Sequence, residues 1–218
     1  MILQFLKDLA NNNNKEWFES NRSYYDQAKE EFHHLLSKIL LCISSFDTSV
    51  IAISPEECTY RIHRDLRFTS DKTPYKTHFG GYINPYGKKS PKSGYYVHLE
   101  PGNCLLGSGS LFIPTPILTK IRIAIYNRIN EYKGIIEDPE FTRYFPSVGE
   151  SRLISAPRGF SKDNPLLKYI QPKDFLISYP ISDDFFEQKE SMEKIEKVFR
   201  QAKRLSDFIN LTIDADES

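Results

Sequence analysis

Cysteine is scarce in this chain, and what there is does not pair. Cys42, Cys58 and Cys104 are three, an odd number, widely spaced and without a C-x-x-C pair. Such spacing excludes a disulfide framework and a cysteine-based zinc ribbon, and it fits a reduced, intracellular protein. Charge of one sign is missing too: 29 Lys and Arg balance 29 Asp and Glu. Net charge therefore gives no ground for bulk attraction to nucleic acid or to a membrane. No apolar run approaches the roughly 18–20 residues of a membrane span. The opening M-I-L-Q-F-L-K-D-L carries an acid at Asp8, and its apolar run is too short for a secretion signal. With no address in the sequence, the cytoplasm is the expected compartment. Several catalytic signatures are absent as well. There is no G-x-G-x-x-G, no G-x-x-x-x-G-K-[ST] and no G-x-S-x-G, which removes the common phosphate-loop and hydrolase-elbow readings. Gly107-Ser-Gly-Ser holds only a fragment of a phosphate-loop pattern and reads as a loop ahead of Pro114.

Aromatic side chains, by contrast, are plentiful: 15 Phe and 13 Tyr beside a single Trp. So many tyrosines suit core edges or a lined cleft, because each offers an apolar body with a polar tip. At 218 residues the chain is long enough to bury a sizeable core, and one domain over 1–218 is expected. Asn11–Asn14 reads as a turn and N-cap, since asparagine side chains satisfy the free N–H groups of a first helical turn. Residues 1–10 are expected to form a short helix before it. After it, Phe18, Tyr25, Ala28, Phe32, Leu35, Ile39 and Cys42 recur at helical steps and predict one long helix. From about Glu57 the period changes. The segments 57–65, 76–84, 93–100 and 103–109 are short, aromatic and β-branched, with Pro, Gly and Lys turns between them, as antiparallel strands require. A helix over Ile117–Tyr132, a short one near Asp138–Phe145, a strand at Phe175–Tyr179 and a last helix from about Asp183 to Asn210 follow. Helices, then strands, then helices, with no βαβ repeat, give an α+β domain: an antiparallel sheet packed against long N- and C-terminal helices.

Charge is balanced overall but not locally. Between Arg61 and Lys92 there are eight Lys or Arg against two Asp. Arg61, Arg64 and Arg67 stand three apart, and Thr69-Ser-Asp-Lys-Thr-Pro-Tyr after them is a turn by composition. Guanidinium forks match phosphate and carboxylate bidentately, so this run is a candidate anion site. Lys72 and Tyr75 are placed to close over the ligand, and Asp65 and Asp71 to orient the arginines. On a strand, Tyr60, Ile62, Leu66 and Phe68 would share one face, with Arg61, His63, Asp65 and Arg67 on the other. The same residues also suit a purely structural Arg–Asp network, and that role stays open at this point.

Arg61-x-x-Arg64-Asp65-x-Arg67-Phe68-x-x-Asp71-Lys72-x-x-Tyr75 resembles the signature R-x-x-R-D-x-R-F-x-x-[DN]-K-x-x-Y of a bacterial family, domain of unknown function 2461. Phe5 to Asn13 (F-L-x-x-L-x-x-N-N, with one Asn more than usual), Lys15-x-Trp17-Phe18, Gly94–Pro101 and Ala156–Phe160 are similar to it as well. The resemblance runs over nearly the full chain as one domain. It implies no assigned activity, and His63 stands where the pattern is free.

A second constellation is Tyr95-Tyr-Val-His-Leu-Glu-Pro. On a strand, Tyr96, His98 and Glu100 share one face. A phenol, an imidazole and a carboxylate together are capable of acid–base work, so His98 and Glu100 are the candidate catalytic pair and Tyr96 a ligand contact. His63, His78, His98, Glu100, Asp65 and Asp71 are metal-ligand types, but none shows a spacing such as H-E-x-x-H, and no metal site and no cofactor is assigned. The expected function is a basic, tyrosine-lined cleft that binds an anionic small molecule. Arg61, Arg64, Arg67, Lys72 and Tyr75 would form one side, and Tyr96, His98 and Glu100 the other. Two alternatives stand beside it. One is a nucleic-acid-binding module that uses Lys88, Lys89 and Lys92 on the basic 85–94 loop. The other is a scaffold in which the arginines only brace the fold.

Overall fold

A computed structural model describes residues 1–67, 69–111 and 113–215 of the chain. The expected Phe68 position in the arginine run lies outside the described residues. The chain folds as two compact units. The first comprises Met1–Pro85, Tyr96–Leu106 and Pro180–Glu196, and the second Tyr86–Tyr95, Gly107–Tyr179 and Lys197–Ser218.

In the first unit, Phe5, Leu6 and Leu9 are the buried face of α1 (Ile2–Asn11). Asn14 caps α2 (Lys15–Ser20) by accepting from the Trp17 amide at 2.8 Å, as asparagine does at a helix start. The single long helix expected from here is divided. At Asn21 (φ −112°, ψ 24°) the backbone leaves the helical region, and the Asn21 side chain donates back to the Trp17 carbonyl at 2.9 Å. A short amide that bonds the preceding turn offers the backbone an alternative to the helix, so α3 (Arg22–Ser44) starts afresh. Its stripe of Ala28, Phe32, Leu36, Ile39, Leu40 and Ile43 is buried.

The segment expected as a strand from Glu57 opens instead as a helical turn, α4 (Pro55–Cys58). Ser54 and Glu57 close a capping box around it, with Pro55 at the first helical position. The S-P-E-E string is the local signal for this. Beyond it the chain touches β1 (Phe79–Ile83) through a bridge from Thr59 to Gly81. β1 is buried throughout. Phe79 lies between Phe5, at 6.2 Å, and Phe32, at 5.4 Å between ring centroids. A Cβ on Gly81 would stand 2.7 Å from Leu36 Cδ2, so glycine there lets β1 lie close against α3.

β2 (Gly94–Leu99), β3 (Cys104–Gly109) and β4 (Ile177–Ile181) complete a four-stranded antiparallel sheet in the order β1-β2-β3-β4. Gly107–Gly109, which the sequence reads both as the end of a strand over 103–109 and as the start of a loop, is strand. Gly109 has φ 130°, and a Cβ there would stand 3.0 Å from the Phe175 carbonyl oxygen, a close approach that explains the glycine better than a turn does. In β2, Tyr95, Val97 and Leu99 are buried while Tyr96 and His98 are half-buried, the period of two that alternation predicts.

In the second unit, the helix expected at Ile117–Tyr132 is two: α5 (Thr115–Asn127) and α6 (Ile129–Ile136), parted at Arg128. α7 (Pro139–Tyr144) and α8 (Leu167–Ile170) follow, Asp138 capping α7. The last helix, α9, runs Ser191–Asp214, later at both ends than expected, because a 3-10 turn at Phe185–Glu187 precedes it. Asn210 pairs with both backbone groups of Ser93, at 2.7 and 3.1 Å. The class is α+β, with an antiparallel sheet and long N- and C-terminal helices. Among the described residues no helix is long and apolar enough to cross a membrane.

Candidate functional site

The arginine run is a loop rather than a strand. His63 bridges Tyr75, the Arg64 amide donates to the Pro74 carbonyl at 2.9 Å, and the Lys76 amide donates to the Ile62 carbonyl at 2.8 Å. These bonds close the chain on itself around residues 65–73. Within the loop, Arg64 Nη1 donates to the Asp71 carboxylate, the Thr73 hydroxyl and the Thr73 carbonyl. Arg67 sets its fork on Asp65, Nε to Oδ1 at 2.9 Å and Nη2 to Oδ2 at 2.7 Å. Lys72 Nζ donates to the Leu66 carbonyl at 3.0 Å. Arg61 is exposed.

The two aspartates titrate accordingly. The side-chain bond from Arg67, followed by the Arg67 amide, holds the Asp65 carboxyl far below the usual carboxylate range. The Thr73 amide, followed by Arg64 and the Thr73 hydroxyl, brings Asp71 down to about 2. Tyr75 is buried, 3% exposed, and stacks on Phe18 at 4.0 Å between centroids. The Asn13 side chain donates to the Tyr75 carbonyl at 2.9 Å and accepts from its amide at 3.1 Å.

The second constellation forms a connected polar group on one face of the sheet. Tyr96 Oη and His98 Nδ1 are 2.9 Å apart, and His98 Nε2 and Glu100 Oε2 are 3.2 Å apart. Two further donors fix the carboxylate: Thr77 Oγ1 to Oε1 at 3.1 Å, and Asn103 Nδ2 to Oε2 at 2.8 Å. His78, one residue before β1, places its ring 4.5 Å from that of His98. Gly80, next along the same face of β1, makes room for the phenol, since a Cβ there would stand 2.7 Å from Tyr96 Oη. Tyr60 meets the Tyr96 ring edge-on at 6.5 Å, and Lys76 Nζ lies 5.5 Å from the Tyr60 ring centroid.

Burial tunes these groups in opposite senses. It lowers the His78 imidazole to about 4, with His98 adding to the effect, so the ring is neutral at neutral pH. It raises the Tyr96 phenol to about 12, with Tyr60 and Glu100 contributing. Burial would also raise Glu100, but the bonds from Asn103, His98 and Thr77 together outweigh it and hold this carboxyl below its ordinary value. The result is a neutral imidazole, a neutral phenol and an ionised carboxylate within one partly open face. Donor atoms of His78, His98 and Glu100 all lie within 4.8 Å of one another.

Strand alternation thus brings Tyr96, His98 and Glu100 together, as the sequence predicts. The structure sets Arg64 and Arg67 against carboxylates of their own loop and Tyr75 against Phe18. Lys76 is a cation close to the polar face, acting on His78 and lying over Tyr60. Thr77, Gly80 and Asn103 are residues that sequence reasoning misses, and it leaves His78 a candidate ligand with no partner. The signal for His78 is present: in K-T-H-F-G-G-Y-I, alternation puts residues 78, 80 and 82 on one face. What the string does not show is which neighbouring strand pairs with it, and in which register.

A family model described as conserved hypothetical protein (DUF2461) matches residues 1–208 of the chain. No curated protein and no solved structure matches it.

Proposed function

The chain belongs to that family, DUF2461, and from this premise we propose that the polar sheet face around Tyr96, His98 and Glu100 binds a small molecule bearing a phosphate or carboxylate group. The observation that carries the reading is the hydrogen-bonded chain Tyr96–His98–Glu100, held from outside by Thr77 and Asn103. Side chains locked by their neighbours are pre-organised, and a pre-organised polar face loses little entropy when a ligand arrives. Lys76 supplies positive charge beside the face, and Tyr60 supplies an apolar wall.

The paired arginines fit the scaffold reading of the loop, and that role is compatible with a ligand on the face. A nucleic-acid module asks Lys88, Lys89 and Lys92 to meet phosphates. Lys92 is instead paired with Asp214 at 2.6 Å and sits 3.8 Å from the Tyr86 ring centroid, which disfavours it.

The test is a thermal-shift screen with sugar phosphates, nucleotides and dicarboxylates on wild type, Lys76→Met, Tyr96→Phe and Arg67→Ala. A ligand at one hundred times its Kd adds about 2.7 kcal/mol to folding, worth several degrees of Tm in a chain of this size. The expected result is such a rise in wild type and Arg67→Ala that shrinks in the other two. A rise that survives in Lys76→Met and Tyr96→Phe but vanishes in Arg67→Ala would move the site to the arginine loop. No rise with any compound would contradict an anion site altogether.

A further inference from the structure

Two imidazoles and a carboxylate within 4.8 Å of one another are a donor set with a known chemical use. Three protein ligands of this kind, with a further position left open, suit zinc and other first-row divalent ions, whereas magnesium and calcium prefer oxygen alone. Ligands about 2.0–2.2 Å from one tetrahedral ion stand about 3.3–3.6 Å apart. His98 Nε2 and Glu100 Oε2 are already at 3.2 Å, close to that spacing.

The surroundings are those that ligands need. A metal-bound histidine almost always hands its other ring nitrogen to a hydrogen-bond partner, which fixes the ring and its tautomer. His98 Nδ1 has the Tyr96 hydroxyl in that position at 2.9 Å. A hydroxyl both donates and accepts, so Tyr96 serves the tautomer that donates Nε2–H to Glu100 and equally the one that frees the Nε2 lone pair. Thr77 and Asn103 hold the Glu100 carboxylate from outside. His98 and Glu100 have side chains 12% and 28% exposed, enough shelter to favour coordination and enough opening for an ion to enter.

We propose that His78, His98 and Glu100 bind one divalent transition-metal ion, of the zinc class, with a coordination position left open on the face. The ion needs nothing from the anion reading. Only the further step, that the anionic ligand sits on the ion at its open position, rests on it. In the bound state His98 and Glu100 turn from each other to the ion. The expected acid–base pair then acts as a ligand pair, and Lys76 and Tyr60 remain beside the open position.

The test starts from full-length protein stripped with chelator and titrated with cobalt(II). Visible absorption and metal content after dialysis are measured for wild type, His78→Gln, Glu100→Gln and Tyr96→Phe. Circular dichroism reports whether each variant is folded. The expected result is one equivalent of cobalt in wild type, with the strong visible bands of a four- or five-coordinate site. Binding should be lost in folded His78→Gln and Glu100→Gln, and weakened roughly 10- to 100-fold in Tyr96→Phe. No retained cobalt in folded wild type would overturn the proposal, as would binding unchanged in the folded ligand variants. The anion screen repeated on stripped protein separates the two readings, because a face that binds anions without metal still gives its thermal shift there.

Discussion

Asn13 shows how much one side chain can hold. Its amide satisfies both backbone groups of Tyr75, sixty-two residues away, while Phe18 stacks on the tyrosine ring. Buried backbone groups left without partners cost about 1–3 kcal/mol each. Asn13→Ala is therefore expected to destabilise the fold by about 2–4 kcal/mol, and urea denaturation with an unchanged m value checks it. A loss below about half a kcal/mol would mean that water replaces the amide. Gly80 is the corresponding test at the polar face. A methyl group there meets the far end of the Tyr96 phenol, which has to shift and so disturbs its bond to His98. Gly80→Ala should fold with little change in Tm and lose most of the ligand-induced thermal shift. An undiminished shift would show that the Tyr96–His98 bond is dispensable. Residue identity announces the chemistry of these positions only in part. Tyr96, His98 and Glu100 are legible because a strand's period of two is local, whereas Asn13, Gly80 and His78 act across elements, on partners that the local string does not name.

Among the elements, the loop closed by His63 and Tyr75 is the one whose role the sequence leaves open. Three arginines at spacing three have the composition of an anion site, and the same composition builds an internal network when aspartates stand within reach. The Asp71 side chain accepts from the Thr73 amide at 3.0 Å, a turn that brings its carboxylate to Arg64, and nothing in the spacing alone sets that turn. The loop carries a pH dependence of definite sign. Asp65 and Asp71 both titrate below their unfolded values, so the folded loop takes up these protons later than the unfolded chain does. Their contribution is whole above about pH 4, the ordinary aspartate range, and is lost as pH falls through about 2 for Asp71 and lower still for Asp65. The Thr73 amide resonance should therefore titrate with a midpoint near the Asp71 value of about 2. A midpoint near the ordinary aspartate value of about 4 would show that the Arg64–Asp71 contact is not formed in solution. Helix ends are the other place where elements depart from periodicity. Asn21 and Arg128 interrupt patterns that an apolar stripe alone carries straight through. The Ser54–Glu57 capping box is a local and readable signal, but the aromatic run that follows it points to a strand and masks it.

For the whole molecule, helix-rich ends around an antiparallel sheet follow from the order of periodicities, because burial on one stripe or one face is what each period encodes. The resemblance over nearly the full chain and the family match over 1–208 agree on membership. Several residues that carry the resemblance, Asn13, Phe18, Arg64, Asp71 and Tyr75, prove to hold one another. The motif most visible in the sequence thus has a structural use, and the proposed ligand chemistry lies instead on the sheet face, at His78, Tyr96, His98 and Glu100. Backbone and histidine-ring chemical shifts of metal-stripped protein, followed through titration with inorganic phosphate and with succinate, test that division most directly. The largest changes are predicted over residues 76–82 and 96–103, with the His78 and His98 rings among them. The largest changes over 61–73 or 88–92 would contradict it and return the site to the arginine loop or to the lysine-rich turn.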